Sequence, residues 1–265
     1  MDLKRLKNFI NFFRPKSIEF KEGFSSWNEA LDNHSKGYSD EKILNNIKES
    51  VMKVLSGKAK YERDGFLFYD HKFIDLLLIP FIEFQKEENI KVLDIGGSFA
   101  SIYLQHKLLL DEFKNLSWVI LEQKNFVEEA QNIFEDKKLI FEDSLDNIEN
   151  LNTFDIVLFS SSIQYFQNFE NVLKTILNSK PKFILILRTP FHEGEEHKIM
   201  IQKSNIGFKS SYPARVFSRN KFLKYFIDNY EIKIQNLSDI EDIFFTNHQT
   251  EISFRNYLFS RYDER

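Results

Sequence analysis

Residues 91–101 read KVLDIGGSFAS, an apolar run carrying one carboxylate, Asp94, then Gly96 and Gly97, then small residues. Glycines permit left-handed backbone and put no Cβ between the chain and a ligand. A helix that follows aims its first N–H groups at the same place. The pattern predicts a buried parallel strand ending in a nucleotide-binding turn. In a dinucleotide fingerprint, G-x-G-x-x-G, the second and third glycine positions fall here on Ser98 and Ser101, so a pyrophosphate would meet side chains where it wants bare backbone. A carboxylate two residues ahead of the first glycine instead matches S-adenosylmethionine (SAM) sites, where Asp94 would attract the ammonium group. The plain alternative is an ordinary strand and turn of an α/β fold.

The next strand ends in Glu122, where an acid accepts two hydrogen bonds from ribose hydroxyls, and Gln123 follows on the same rim. The third ends in FEDS, where Asp143 or Ser144 either meets an adenine amino group or closes a solvated turn. Ser160, Ser161 and Ser162 end the fourth strand without a carboxylate, which argues against a divalent ion held there by hard oxygen ligands. The expected cofactor set is Asp94, Gly96, Gly97, Ser98, Glu122, Gln123, Asp143, Ser144, Ser160 and Ser161, with no metal. The acceptor side must follow the fifth strand. Residues 189–216 are too long for an ordinary connection and predict a flap over the pocket. Arg188, His192, His197, Tyr212 and Arg215 lie at or in it. His192 is the expected general base, because a free imidazole titrates near about 6.5 and this one stands just past the strand end. The competing reading is an exposed loop histidine beside Glu193, Glu195 and Glu196. Arg188 and Tyr212 would grip an anionic or polyhydroxylated acceptor.

The elements that must position these residues alternate as a doubly wound sheet requires. Strands are expected at 91–95, 117–122, 138–141, 154–160, 182–188, 230–237 and 252–259. Helices are expected near 99–113, 124–134, 166–178 and 219–228. With no helix between them, the last two strands pair antiparallel. The fold class is α/β, a Rossmann-like seven-stranded sheet with helices on both faces.

Ahead of it, residues 1–88 read as a helical extension of the SAM-binding domain at 89–265. Lys4, Arg5, Lys7, Arg14 and Lys16, with Leu3, Leu6, Ile10 and Phe13 at helical spacing, make 1–17 a basic amphipathic helix. It either packs on the body or touches a membrane surface or protein partner, and it is too short and too interrupted to span a bilayer. Ser26 and Glu29 form a capping box. A second helix runs from near Ser39 to Gly57. YERDGFLFYD, 61–70, reads as a charged linker before an apolar helix at 73–87 that Pro80 interrupts.

Composition narrows the function. The 265 residues are 42% apolar, with a net charge of −4 and no cysteine. Thiolate nucleophiles and thiolate metal sites are excluded, a reducing cytoplasm is the expected compartment, and no overall basic field draws nucleic acid.

Several motifs together, WNEAL, GYSDEKIL, YERD, VLDIGGS, LEQKNFV, LFSSSIQY, RTPF and SYPARVF, resemble a family of SAM-dependent methyltransferases encoded among bacterial capsule and O-antigen genes. The resemblance covers about residues 23–220. It implies methyl transfer to a sugar, sugar nucleotide or phosphorylated precursor of a surface polysaccharide. Ala100 and Arg215 depart from the expected glycine and aromatic. A metal-independent O-methyltransferase is the reading expected; a nicotinamide-dependent oxidoreductase and a catalytically silent, partner-binding subunit are the alternatives.

Overall fold

A computed structural model describes residues 18–34, 41–204, 210–238, 244–245 and 250–262. The expected basic helix at 1–17 lies outside them. The strands are β1 (Ile18–Phe24), β2 (Tyr61–Arg63), β3 (Phe66–Phe68), β4 (Asn89–Ile95), β5 (Asn115–Leu121), β6 (Leu139–Glu142), β7 (Ile156–Ser160), β8 (Phe183–His192), β9 (Lys198–Ser204), β10 (Ser210–Ser218), β11 (Tyr230–Leu237), β12 (Phe244–Phe245) and β13 (Glu251–Arg261). The helices are α1 (Trp27–Asp32), α2 (Glu41–Leu55), α3 (Asp75–Ile82), α4 (Ser101–Leu110), α5 (Lys124–Ile133), α6 (Phe169–Ser179) and α7 (Arg219–Leu223).

The mostly parallel middle of the sheet runs β8-β7-β4-β5-β6, and β13 pairs antiparallel with both β8 and β11. Continuous apolar runs form these strands because both faces are covered, as a parallel sheet requires. Successive side chains go to opposite layers. Val92 and Leu158 pack with Leu77, Tyr103 and Phe126 on one face, while Leu93, Val157 and Phe159 pack with Phe169, Leu173 and Phe222 on the other.

Among the described residues the sheet has eleven strands rather than seven. All seven expected strands form, and β1, β9, β10 and β12 add to them. Residues 189–216 are therefore not a flap. β8 runs on to His192, and β9 and β10 lie in the sheet as an antiparallel pair with Tyr212 opposite Gln202. Alternation explains the correction: Met200, Ala214 and Val216 face a small third core with Ile18, Phe20, Ile252 and Phe254. The N-terminal region is likewise not purely helical, because β1 pairs antiparallel with β9. YERDGFLF folds as a hairpin, β2 against β3, with Asp64 and Gly65 in left-handed turn conformations (φ +52° and +83°), as an Asp-Gly turn favours. Around Pro80 the expected helix shrinks to α3, which ends at Ile82.

The β13 side of the sheet is held by aromatic packing. The rings of Phe226 and Phe259 stack at 3.9 Å between centroids, and both are buried. Phe259→Ala is expected to cost about 3–5 kcal/mol, read as a lower urea midpoint at unchanged slope.

Candidate active site

The turn after β4 departs sharply from regular backbone. Gly96 (φ +76°), Ser98 (φ +54°) and Ala100 (φ +60°) are all left-handed. A Cβ on Gly96 would stand 2.5 Å from the Ser162 Cβ, and one on Gly97 would stand 2.7 Å from the Asp94 carboxylate. The two glycines are thus required by close packing beneath the loop as well as by its shape. Glu122, just past β5, ties the loop down. One of its oxygens accepts from the Ser98 N–H at 3.0 Å and the other from the Gln123 N–H at 2.9 Å. Burial raises its pKa against the effect of those hydrogen bonds.

Above this loop lies a cavity of about 640 Å³ at the carboxyl ends of the parallel strands, where open α/β sheets bind ligands. Gly96, Gly97 and Ser98 line it from β4, and Glu122 and Gln123 from β5. Asp143 and Ser144 reach it after β6, Ser160 and Ser161 from β7, and Arg188 from β8. Ten of the thirteen expected site residues are therefore brought together. The sequence reads Arg63 and Asp64 as part of a charged linker and gives Tyr165 no role, yet all three line the same cavity. The Asp-Gly hairpin signal in YERDG was the clue available for the first two. Glu62 anchors their hairpin: its buried carboxylate accepts from the Gly65 N–H at 3.0 Å and from the Ser101 hydroxyl at the start of α4.

The other three expected residues lie elsewhere. Asp94 is fully buried under Gly97 and does not line the cavity; it accepts from Trp118 Nε1 at 3.3 Å, and its Oδ1 has no hydrogen-bond partner among the described residues. Burial pushes its pKa up to about 7, so it is a poor permanent counter-charge. Tyr212 stands behind the cavity wall, edge-on to Tyr165 at 4.9 Å between centroids. His192, the expected base, is buried and does not line the cavity. Its Nδ1 accepts from the Gly194 N–H at 3.1 Å and its Nε2 faces the Glu196 carbonyl at 2.9 Å, so the ring clasps the turn after β8. Burial lowers its pKa. His197 is also structural: its Nδ1 accepts from the Ser218 N–H at 2.9 Å, and burial lowers its pKa to about 4. Arg215 lies between the rings of Trp27 and Phe169 and donates to the Gln167 carbonyl at 3.0 Å. Among the described residues, no group of three or more His, Asp or Glu side chains is placed to hold a metal ion.

No protein-family model matches the chain, and no curated protein matches it. Among solved structures, it is similar to a SAM-dependent methyltransferase from Clostridium acetobutylicum, at 13% identity over 82% of this chain and 98% of that one, with a TM-score of 0.47. The N-terminal domain of EvdMO1 with SAH bound is similar at 14% identity over 86% and 100% of the two chains, with a TM-score of 0.49. A third is a Burkholderia thailandensis 1,6-didemethyltoxoflavin-N1-methyltransferase with bound 1,6-didemethyltoxoflavin and S-adenosylhomocysteine, at 10% identity over 86% and 92%, with a TM-score of 0.46. At these levels of identity and superposition, function has to be read from the cavity's own residues.

The Glu62 anchor has a pH signature. Burial raises its pKa to about 7 from an ordinary value of 4.5, so between those values the folded chain holds a proton that the unfolded chain has lost. Its contribution is therefore present at low pH and lost as pH rises through about 7. Glu62→Gln is expected to gain stability relative to wild type as pH is raised across that window, measured by urea unfolding at each pH. A difference that stays flat with pH would contradict the assignment.

Proposed function

We propose that the cavity binds SAM and that the protein is a metal-independent methyltransferase acting on a small-molecule acceptor. The observation that carries this reading is Glu122, a half-buried carboxylate at the end of β5 facing the same cavity as the glycine turn. Its two backbone donors leave lone pairs on both oxygens for a pair of ribose hydroxyls. The cavity's size suits such a cofactor, being within the roughly 300–1,000 Å³ of small-molecule sites. The turn accommodates it because Gly96 and Gly97 keep the floor clear of side chains, and the buried Ser98 hydroxyl has no partner among the described residues.

In this reading Glu122 holds the ribose, and Asp143 or Ser144 meets the adenine amino edge. Ile102, Phe126 and Leu145 supply apolar walls, and Arg63 faces the carboxylate of the methionine part. When bound, SAM supplies the methyl group to be transferred. The chain's remaining task is to hold an acceptor in line, keep water out and receive one proton if the acceptor is a hydroxyl. Asp64 takes the place of His192 as the proton acceptor. It faces the cavity, whereas burial raises the Tyr165 hydroxyl well above its usual range and unfits it as a base. We further infer oxygen as the methylated atom and a sugar, sugar nucleotide or phosphorylated precursor of a surface polysaccharide as acceptor. That finer part rests on the motif resemblance.

Calorimetry tests the cofactor. S-adenosylhomocysteine (SAH) is expected to bind and NADH not, and Glu122→Gln should weaken SAH binding by about 1.5–3 kcal/mol, the range for a hydrogen bond to a charged group. Unchanged SAH affinity in that variant would remove the ribose assignment. The same titration in excess EDTA is expected to give the same affinity; a loss restored by magnesium or manganese would show a metal in the site.

A further inference from the structure

We infer that Arg188, held in place by Asn256, is the anchor for an anionic group on the acceptor, a carboxylate or a phosphate. The inference rests on the cavity being a SAM site and adds the acceptor's chemistry to it. The starting point is backbone. Arg188 lies inside β8, yet its φ is +49°, a conformation that side chains with a Cβ rarely adopt and that is retained where the surroundings enforce it. A glycine would sit there without strain.

The enforcement is visible. Facing Arg188, the register of β13 against β8 shifts between Arg255 and Tyr257, leaving Asn256 at the irregularity. Asn256 Oδ1 accepts from the Arg188 N–H at 2.8 Å, and Asn256 Nδ2 donates to Asn236 Oδ1 on β11 at 2.9 Å. The side chain then leaves the strand at the point where β7 has just ended. Its Nη2 donates to Ser160 Oγ at 3.1 Å, and it lines the cavity near Ser161 and Tyr165.

Donor geometry supplies the ligand class. The guanidinium stands at the strand ends where the acceptor must enter, in a lining whose carboxylates Glu122 and Asp143 belong to the cofactor side in the proposed reading and Asp64 to the proton acceptor. The planar fork of N–H donors on arginine matches the paired oxygens of a carboxylate or phosphate better than any neutral hydroxyl does.

The experiment uses inorganic phosphate and acetate as probes, titrated into the full chain saturated with SAH and followed by calorimetry or amide NMR. Wild type is expected to bind at least one of the two, and which one it binds more tightly identifies the acceptor's anion. Arg188→Gln should weaken that binding by about tenfold or more, the loss of a charge-assisted hydrogen bond, with SAH affinity unchanged. Asn256→Ala should weaken it too, although Arg188 is intact, which a merely structural asparagine would not do. Arg188→Gly guards against misfolding: it removes the left-handed strain, so its thermal midpoint should be no lower than wild type while anion binding is lost. Equal anion affinity in wild type and Arg188→Gln, or no anion binding to an SAH-saturated protein, overturns the inference and leaves the cofactor reading intact. A fall in SAH affinity in Arg188→Gln also overturns it, since the guanidinium would then be serving the cofactor's own carboxylate. Failure of wild type to bind SAH removes the cofactor reading, and this inference with it.

Discussion

At Ser160 strand β7 ends while its parallel neighbour β8 continues to His192. Up to Leu187 the hydrogen bonds of β8 on that edge go to β7. Beyond it, Phe191 and His192 pair instead with Phe217 and Ser218 of β10. The sheet therefore forks, and backbone pairing is interrupted between the two partners. Buried N–H and C=O groups cannot be left without partners, so the interruption has to be managed locally. At the fork Ser161, left-handed, donates its N–H to the Leu187 carbonyl, while on the opposite edge of β8 Arg188, also left-handed, gives its N–H to the Asn256 side chain on β13. The cavity mouth is a consequence of where one strand stops, and its guanidinium of an irregularity on the other edge of β8.

The floor of the cavity is under a second constraint, the burial of carboxylates in apolar surroundings. Asp94 and Glu62 are both at most 1% exposed, and burial holds their pKa values near 7. Glu122 is shifted in the same direction. Each is retained by a specific donor: the Trp118 indole, the Ser101 hydroxyl with the Gly65 N–H, and the two backbone N–H groups flanking the loop. Removing one of those donors would leave a buried acid with less support than its desolvation demands. These groups account for the compactness of the glycine turn, since Asp94 lies directly beneath Gly97 and any larger residue there would collide with it.

The extension formed by β1, β9 and β10 serves the same site at one remove. β10 supplies the second partner that keeps β8 in the sheet beyond β7, and it carries Tyr212, which backs Tyr165 in the cavity wall. The hairpin at 61–68 adds Arg63 and Asp64 to the lining. Those two residues come from the part of the chain that precedes the glycine turn.

What the sequence determined by itself is the part governed by local chemistry and short-range pattern. The apolar runs at 91–95, 117–122 and 154–160 could only be buried parallel strands. The glycines after β4 and the acid after β5 pointed to the edge of the sheet where the cavity lies, because the alternation of strand and helix places consecutive strand ends on one edge. What only the tertiary structure decided depends on partners far apart in sequence. Residues 189–216 look like a flap until Ile18–Phe24 arrives to pair with β9 and share a core with it. His192 has the residue type and position of a base, but the turn after β8 consumes both its ring nitrogens. Asp94 has the spacing of a cofactor ligand, but the close packing of Gly97 puts it under the floor instead of on it. Arg188 lies in what reads as plain strand, and its strain arises only because Asn256, on a strand formed near the end of the chain, takes the hydrogen bond that a regular ladder would have provided.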